Sequence, residues 1–177
     1  YYHDDFDPGS ATLKMRAFAG HHLERGNGFD RRADVTTRLA IERLEYHAGD
    51  DAPFFLFVHY MDPHRPYVPP ADFADKFAPT NEDANILEQE IGKYDAEIAF
   101  TDYEVGRLLL ALERLNLRDN TMVVVTSDHG EGLMQHNVMA HGYNIHEEQV
   151  VVPLLLRWPA GISAGQVFFD PVELVDI

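Results

Sequence analysis

The sequence contains no cysteine. Within these residues that excludes a disulfide, a thiolate zinc site and a thiol nucleophile. Basic residues are scarce: 14 Lys and Arg stand against 30 Asp and Glu, for a formal charge of −16. An electropositive nucleic-acid footprint is therefore lacking. No apolar run approaches the length of a membrane span, and no signal peptide is read at the start. Serine is sparse too: Ser10, Ser127 and Ser163 are the only ones, and none stands in a convincing nucleophile setting. What the chain does have is acid and a 45% share of apolar residues, ample for the core of one domain at 177 residues. The acid suits a solvated exterior, and also a site that holds a divalent cation. The start at Tyr1 and the end at Val175-Asp176-Ile177 in mid-pattern suggest a fragment, incomplete at both ends.

Residues 1 to 30 are polar and poorly periodic, with a turn at Pro8-Gly9 and breakers at Gly26 and Gly28. His3, His21 and His22 read as exposed loop histidines. From Arg31 to His47 the pattern is helical, with Val35, Leu39, Ala40 and Leu44 on one face. Phe54 to Tyr60 is a continuous apolar run, and its lack of alternation predicts a strand buried on both faces. Thr80 to Asp83 resembles a capping box, and it precedes a long helical stripe through Leu87, Ile91, Tyr94, Ile98, Val105, Leu108, Leu112 and Leu115. Glu88, Glu90, Glu97 and Glu104 fall largely off that stripe and read as a solvated face. Helix and strand alternate, which predicts an α/β fold with a mostly parallel sheet flanked by helices. The tail from Val167 to Ile177 reads as a further strand or turn.

Two strand ends carry the chemistry. Met122 to Val125 is an apolar, β-branched run that stops at Ser127-Asp128-His129-Gly130-Glu131. Carboxylate and imidazole ligands just past a strand end lie where α/β sheets gather ligands. Asp128 and His129 supply only part of a shell, since calcium takes about six to eight oxygens and zinc about four ligands. A His-rich loop follows, with His136, His141 and His146 at intervals of five, and the apolar run from Val150 to Leu156 returns as a strand. The other strand end is Met61 to Pro70, where four prolines enforce an irregular, stiff loop around His64. His64 and His141 could flank a tetrahedral oxyanion such as sulfate or phosphate, and each is a usable general acid for a departing alcohol.

These residues carry a resemblance. Phe55 to Pro70, Tyr94 to Leu112 and above all Val123 to Arg157 are similar to the central part of the sulfatase family, within the alkaline-phosphatase-like superfamily. Ser127 to Glu131 resembles the family's second metal segment, so Asp128 and His129 take its metal-ligand places. Asp62-Pro63-His64-Arg65-Pro66-Tyr67 resembles the histidine loop, and His141-Gly142 the Lys-Gly or His-Gly pair; both histidines inherit contacts to the sulfate. The chain departs from the family at Gln135-His136-Asn137, where Glu-His-Gly is common, at Ala140, where Gly is common, and at His146, where Tyr is common.

The resemblance implies that residues 1–177 are the central part of one catalytic domain with an alkaline-phosphatase-like core. The parent would then be a sulfuric ester hydrolase acting on a small-molecule or carbohydrate sulfate ester. It would use a divalent cation, calcium ahead of magnesium, manganese or zinc. A formylglycine made from Cys or Ser would be the nucleophile, upstream of this chain together with an Asp-Asp metal pair, so the chain alone is expected to be inactive. The alternatives are a phosphomonoesterase, phosphodiesterase or phosphoethanolamine-type transferase of the same superfamily, and a non-catalytic module that keeps the fold. Oligomeric state stays open, as does the compartment among periplasmic, secreted and cytoplasmic.

Overall fold

The computed structural model describes residues 14–15, 31–49, 52–81 and 83–177. The expectations at Pro8-Gly9, His3, His21, His22, Gly26 and Gly28 lie outside the described residues. The chain divides into two compact units, Tyr1–Asn116 and Leu117–Ile177, and each is described by itself.

In the first unit, β1 (Lys14–Met15) pairs in parallel with β2 (Phe54–Phe55); the sequence gives no strand signal at β1. Among the described residues, ladder pairing of the FFLFVHY run is confined to Phe54 and Phe55. The expected burial on both faces is not what is found. Phe54, Leu56, Val58 and Tyr60 are half-buried, whereas Phe55 and Phe57 are exposed. Among the described residues one side of the segment is covered and the other is not, so period-two burial appears in a sequence that does not alternate.

Helix α1 (Ala33–His47) buries Ala33, Thr36, Thr37, Ala40 and Leu44, a stripe at helical spacing. It packs on α3 (Ile86–Arg114), as does the short α2 (Ala71–Phe77). Small residues set the contact: Ala96 is fully buried, and a Cβ at Gly92 would run into the Phe77 carbonyl oxygen. The buried face of α3 therefore runs through Gly92, Ala96, Phe100, Glu104 and Ala111. That is a correction to the predicted stripe, from which Ile98 emerges exposed. The cap is corrected too. Asn85, not Thr80, caps α3: the Glu88 amide donates to Asn85 Oδ1 at 3.0 Å, and the Asn85 amide donates to Glu88 Oε2 at 2.8 Å. This reciprocal pair satisfies donors that a helix start otherwise leaves orphaned.

Two of the four acids expected on a solvated face are buried. Glu104 accepts from Arg107 Nη1 at 3.0 and 2.8 Å through its two carboxylate oxygens, and this pairing keeps the Arg107 guanidinium charged against its partial desolvation. Burial pushes the nearby Tyr60 phenol up from its ordinary value; a hydrogen bond with Thr37 opposes the shift, and Glu104 adds to it. Glu97, fully buried, accepts from the Val68 amide at 2.6 Å.

Glu97 is one of four residues by which α3 grips the Pro-rich loop. Arg65 pairs with Glu90 at 3.1 Å, Tyr67 meets Tyr94 edge-on at 5.4 Å, and Thr101 Oγ1 donates to the Asp62 carbonyl at 3.4 Å. Positions 90, 94, 97 and 101 share one helical face. The loop holding His64 is thus read residue by residue along a rigid element.

The second unit is built from two antiparallel pairs. β3 (Val123–Thr126) pairs with β6 (Leu154–Arg157), and β4 (Gly132–Leu133) with β5 (Met139–Ala140). One helical turn, α4 (Glu147–Val150), precedes β6. The apolar run that begins at Val150 therefore starts as the end of a helix and becomes a strand only at Leu154. The tail forms a 3-10 turn, Leu174–Asp176, rather than a strand. No described helix is long and apolar enough to cross a membrane.

One pH effect follows from the α3 grip. The hydrogen bond from Lys93 holds the Glu90 carboxyl below its ordinary 4.5, against desolvation and with help from Arg65. A depressed carboxylate stabilises the fold above its ordinary value and loses that contribution as the pH falls through the folded one. Glu90→Gln is expected to flatten the loss of thermal stability below pH 4.5, read as melting temperature against pH; a slope equal to that of the parent would refute it.

Candidate active site

β3 delivers the segment from Ser127 to Glu131 to one end of its ladder. Ser127 Oγ donates to the His129 carbonyl at 2.7 Å, and the His129 amide donates to Asp128 Oδ1 at 3.0 Å. His129 Nδ1 lies 2.8 Å from the Gly130 carbonyl. A carbonyl can only accept, so Nδ1 carries a proton, and a neutral ring so held has its lone pair on Nε2. That is the form in which histidine ligates a metal. Nε2 lies 3.8 Å from Asp128 Oδ1, close to the roughly 3.3 Å that separates two ligands about 2.3 Å from one cation at a right angle. Both side chains are accessible, at 75% for Asp128 and 37% for His129. The pair fits a divalent cation as part of its shell; among the described residues no group of three or more such ligands forms.

The β4–β5 hairpin carries His141 to the same place. Its ring stacks on that of His129, with centroids 3.9 Å apart and planes 28° apart. His141 Nδ1 donates to Glu131 Oε1 at 3.2 Å, and the Glu131 side chain is only 5% exposed. Three of the residues around this point, His129, Glu131 and His141, thus converge although the sequence separates them by up to twelve positions. Close backbone approach makes this possible. The Gly130 amide donates to the Gln149 carbonyl at 2.9 Å, and a Cβ on Gly130 would collide with the Glu148 carbonyl. Ala140 (φ 82°) and Gly142 (φ 82°) flank His141 in the left-handed region.

His136 and His146 form a second stack, 3.9 Å apart and 11° from parallel, beside Glu148. His136 Nδ1 donates to Glu148 Oε1 at 2.9 Å. Desolvation alone would raise the Glu148 carboxyl, but the His136 bond, a backbone bond and the nearby imidazoles together hold it below its ordinary value.

His64 belongs to the other unit. Its amide donates to the Met61 carbonyl at 2.8 Å and its Nδ1 to the Arg65 carbonyl at 2.7 Å, which fixes the same tautomer as in His129. The structure thus brings together Asp128, His129 and His141, and fixes the ring of His64 within its own loop. Sequence reasoning assigned no part to Glu131, Gln149 or Glu97. For Glu131 a signal existed, a carboxylate two residues past a metal-type pair. Gln149, at the end of a polar His-Glu-Glu-Gln run, offered none.

The family model described as Sulfatase matches residues 4–176. The chain belongs to the sulfatase family. It is 30% identical over 156 residues to the steryl-sulfatase of Rattus norvegicus, covering 81% of this chain and 25% of that protein. To the ulvan-active sulfatase of Formosa agariphila it is 32% identical over 147 residues, covering 76% and 29%. The crystal structure of Ps i-CgsB in complex with neocarrahexaose superposes with a TM-score of 0.64 at 28% identity, over 79% of this chain and 31% of that one. This sulfatase chain therefore has the α/β, alkaline-phosphatase-like core expected of it, and it spans about a third or less of the length of these relatives. The phosphoester and non-catalytic readings are not favoured by matches to sulfatases.

Ala140, at φ 82°, is in a conformation that an L side chain adopts at a cost of about 1–2 kcal/mol. Glycine gives back about half of that through its freer unfolded chain. Ala140→Gly is expected to stabilise the protein by about 0.5–1 kcal/mol in denaturant unfolding; a loss of stability would show that the Ala140 methyl is held by packing instead.

Proposed function

We propose that the complete protein is a sulfuric ester hydrolase, and that this chain supplies part of its cation site and its sulfate-facing histidines within one catalytic domain. The observation that carries the reading is the His129–His141 stack at 3.9 Å. It joins a metal-type corner to a histidine of the kind that meets an oxyanion, with a buried carboxylate behind it. Asp128 and His129 would hold the cation, calcium in the first instance. Bound there, the cation supplies positive charge for a sulfuryl oxygen and for the nucleophile.

The chain's own residues do the rest of the charge handling. Glu131 fixes His141 through Nδ1, and the Arg65 carbonyl fixes His64 through Nδ1. In each ring Nε2 is then the atom to meet the ester. As imidazolium, each Nε2–H compensates a sulfuryl oxygen, and one of them gives its proton to the leaving oxygen as the sulfur–oxygen bond breaks. The nucleophile we assign to a formylglycine carried by the complete protein outside the residues of this chain. The substrate is a sulfate ester of a small molecule or a carbohydrate. The names of the relatives support both, one a steryl-sulfatase and another held with an oligosaccharide.

In the complete protein, Asp128→Ala is expected to lose bound calcium and to lower turnover of an aryl sulfate at least about tenfold. His64→Ala and His141→Ala are each expected to lower kcat about 100-fold with the melting temperature kept within a few degrees. Normal calcium and turnover in the Asp128 variant would reject the metal assignment. A histidine variant that unfolds while the other stays fully active would make the first histidine structural.

Peptide mass spectrometry of the complete protein is expected to find a Cys or Ser converted to formylglycine. An unmodified Thr or Ser at a metal-bound site would move the chemistry to phosphoryl transfer.

A further inference from the structure

Gln149 is buried to 3% exposure at the end of α4, and its amide is spent entirely on the backbone that carries His141. Its Nε2 donates to the Ala140 carbonyl at 3.3 Å, and its Oε1 accepts from the Gly142 amide at 3.2 Å. These two bonds lie on either side of His141. Its own carbonyl accepts from Gly130 at 2.9 Å, the residue next to His129. One residue therefore touches the chain immediately after the metal-type pair and on both sides of the sulfate-facing histidine.

The need for such a contact is local. Ala140 and Gly142 both have φ of 82°, so no regular ladder continues through His141. Left-handed conformations in a non-glycine residue persist only where the surroundings over-determine them. Space for the amide is left by Gly132: a Cβ there would lie 3.1 Å from Gln149 Nε2 and 2.6 Å from the Ala140 carbonyl. The chemistry is specific to an amide of this length. Glutamate has no donor and would set a carboxylate oxygen against the Ala140 carbonyl. Asparagine is one methylene short. Methionine fills the volume and makes neither bond.

We propose that Gln149 is a positioning residue, which fixes the His141 imidazole against His129 by bonding the backbone on both sides of it. The proposal rests on the reading of His141 as a sulfate contact, and the test separates the two. In the complete protein, kcat/KM for an aryl sulfate is measured for Gln149→Met, His141→Ala and the double variant, with calcium content, and the imidazole 15N signals of histidine-labelled protein are recorded. Gln149→Met is expected to lower kcat/KM about 10–100-fold, as small misplacements of a catalytic group do. Calcium is expected to be retained, the His141 ring signals to move, and no further loss to appear in the His141→Ala background. Unmoved His141 signals, or the same loss in both backgrounds, would overturn the proposal. If His141→Ala keeps parental activity, the reading of His141 as a sulfate contact fails, and the ring signals alone decide whether Gln149 positions it. Should Gln149→Met not fold, Gln149→Asn is read by the same two criteria.

Discussion

The Glu148–Gln149 backbone crosses the strand-end corner so closely that Gly130 has no room for a Cβ, and much of the second unit follows from that crossing. The Gly130 amide is satisfied by the Gln149 carbonyl, so the corner that presents Asp128 and His129 is tied to α4, ahead of the returning strand, rather than left as an open turn. The same crossing seats Gln149 beside Gly132 and brings Glu148 to His136. A buried amide and a buried carboxylate, Gln149 and Glu131, then stand behind His141. Buried polar groups are tolerable only when bonded, and here the bonds they make are those that place the site.

The first unit solves a similar problem with a helix. A Pro-rich loop has few amides with which to hold itself, and the His64 loop is held instead by side chains on α3 at positions 90, 94, 97 and 101. Breaking such a contact with Glu97 would leave a buried carboxylate without its amide donor, a cost larger than the net worth of the bond. On the adjoining face Gly92 lets the end of α2 approach the same helix, and Ala96 is fully buried. One face of α3 is therefore a packing surface and the next a template for the loop.

This division explains what could be read from the sequence. The existence of α1, α3, β3 and β6 was legible, because long periodic stretches and a β-branched run outweigh local ambiguity. The strand-end position of Asp128 and His129 was legible for the same reason. The phase of α3 was not, since its closest contacts use Gly92 and Ala96, which carry little hydropathy signal. Nor was the burial of Glu97 and Glu104: a glutamate that binds an amide or an arginine reads in sequence like one that binds water. The capping choice was decided by reciprocity. Asn85 and Glu88 both donate and both accept, and the earlier Thr80 is too far from the first turn to do either. The convergence of His129 with His141 depends on a hairpin and a crossing segment, both set by contacts between residues distant in sequence.

The histidines show how far fixed tautomers carry the chemistry. His64, His129 and His141 each give the Nδ1 proton to an oxygen that can only accept, two of them backbone carbonyls and one the Glu131 carboxylate. Nε2 is thus the working atom in all three. A ring that binds a cation needs a lone pair there, and a ring that meets an oxyanion needs a proton there. Identical anchoring therefore leaves the job of each histidine to what lies before Nε2. For His129 that neighbour is Asp128, whose negative oxygen favours a cation between them. For His141 the carboxylate lies on the opposite, Nδ1 side, where it favours the imidazolium that the proposed contact with an anion would use. On the proposed reading, the stack at 3.9 Å brings a cation-binding ring and an anion-binding ring face to face, as a metal-bound sulfate ester would need.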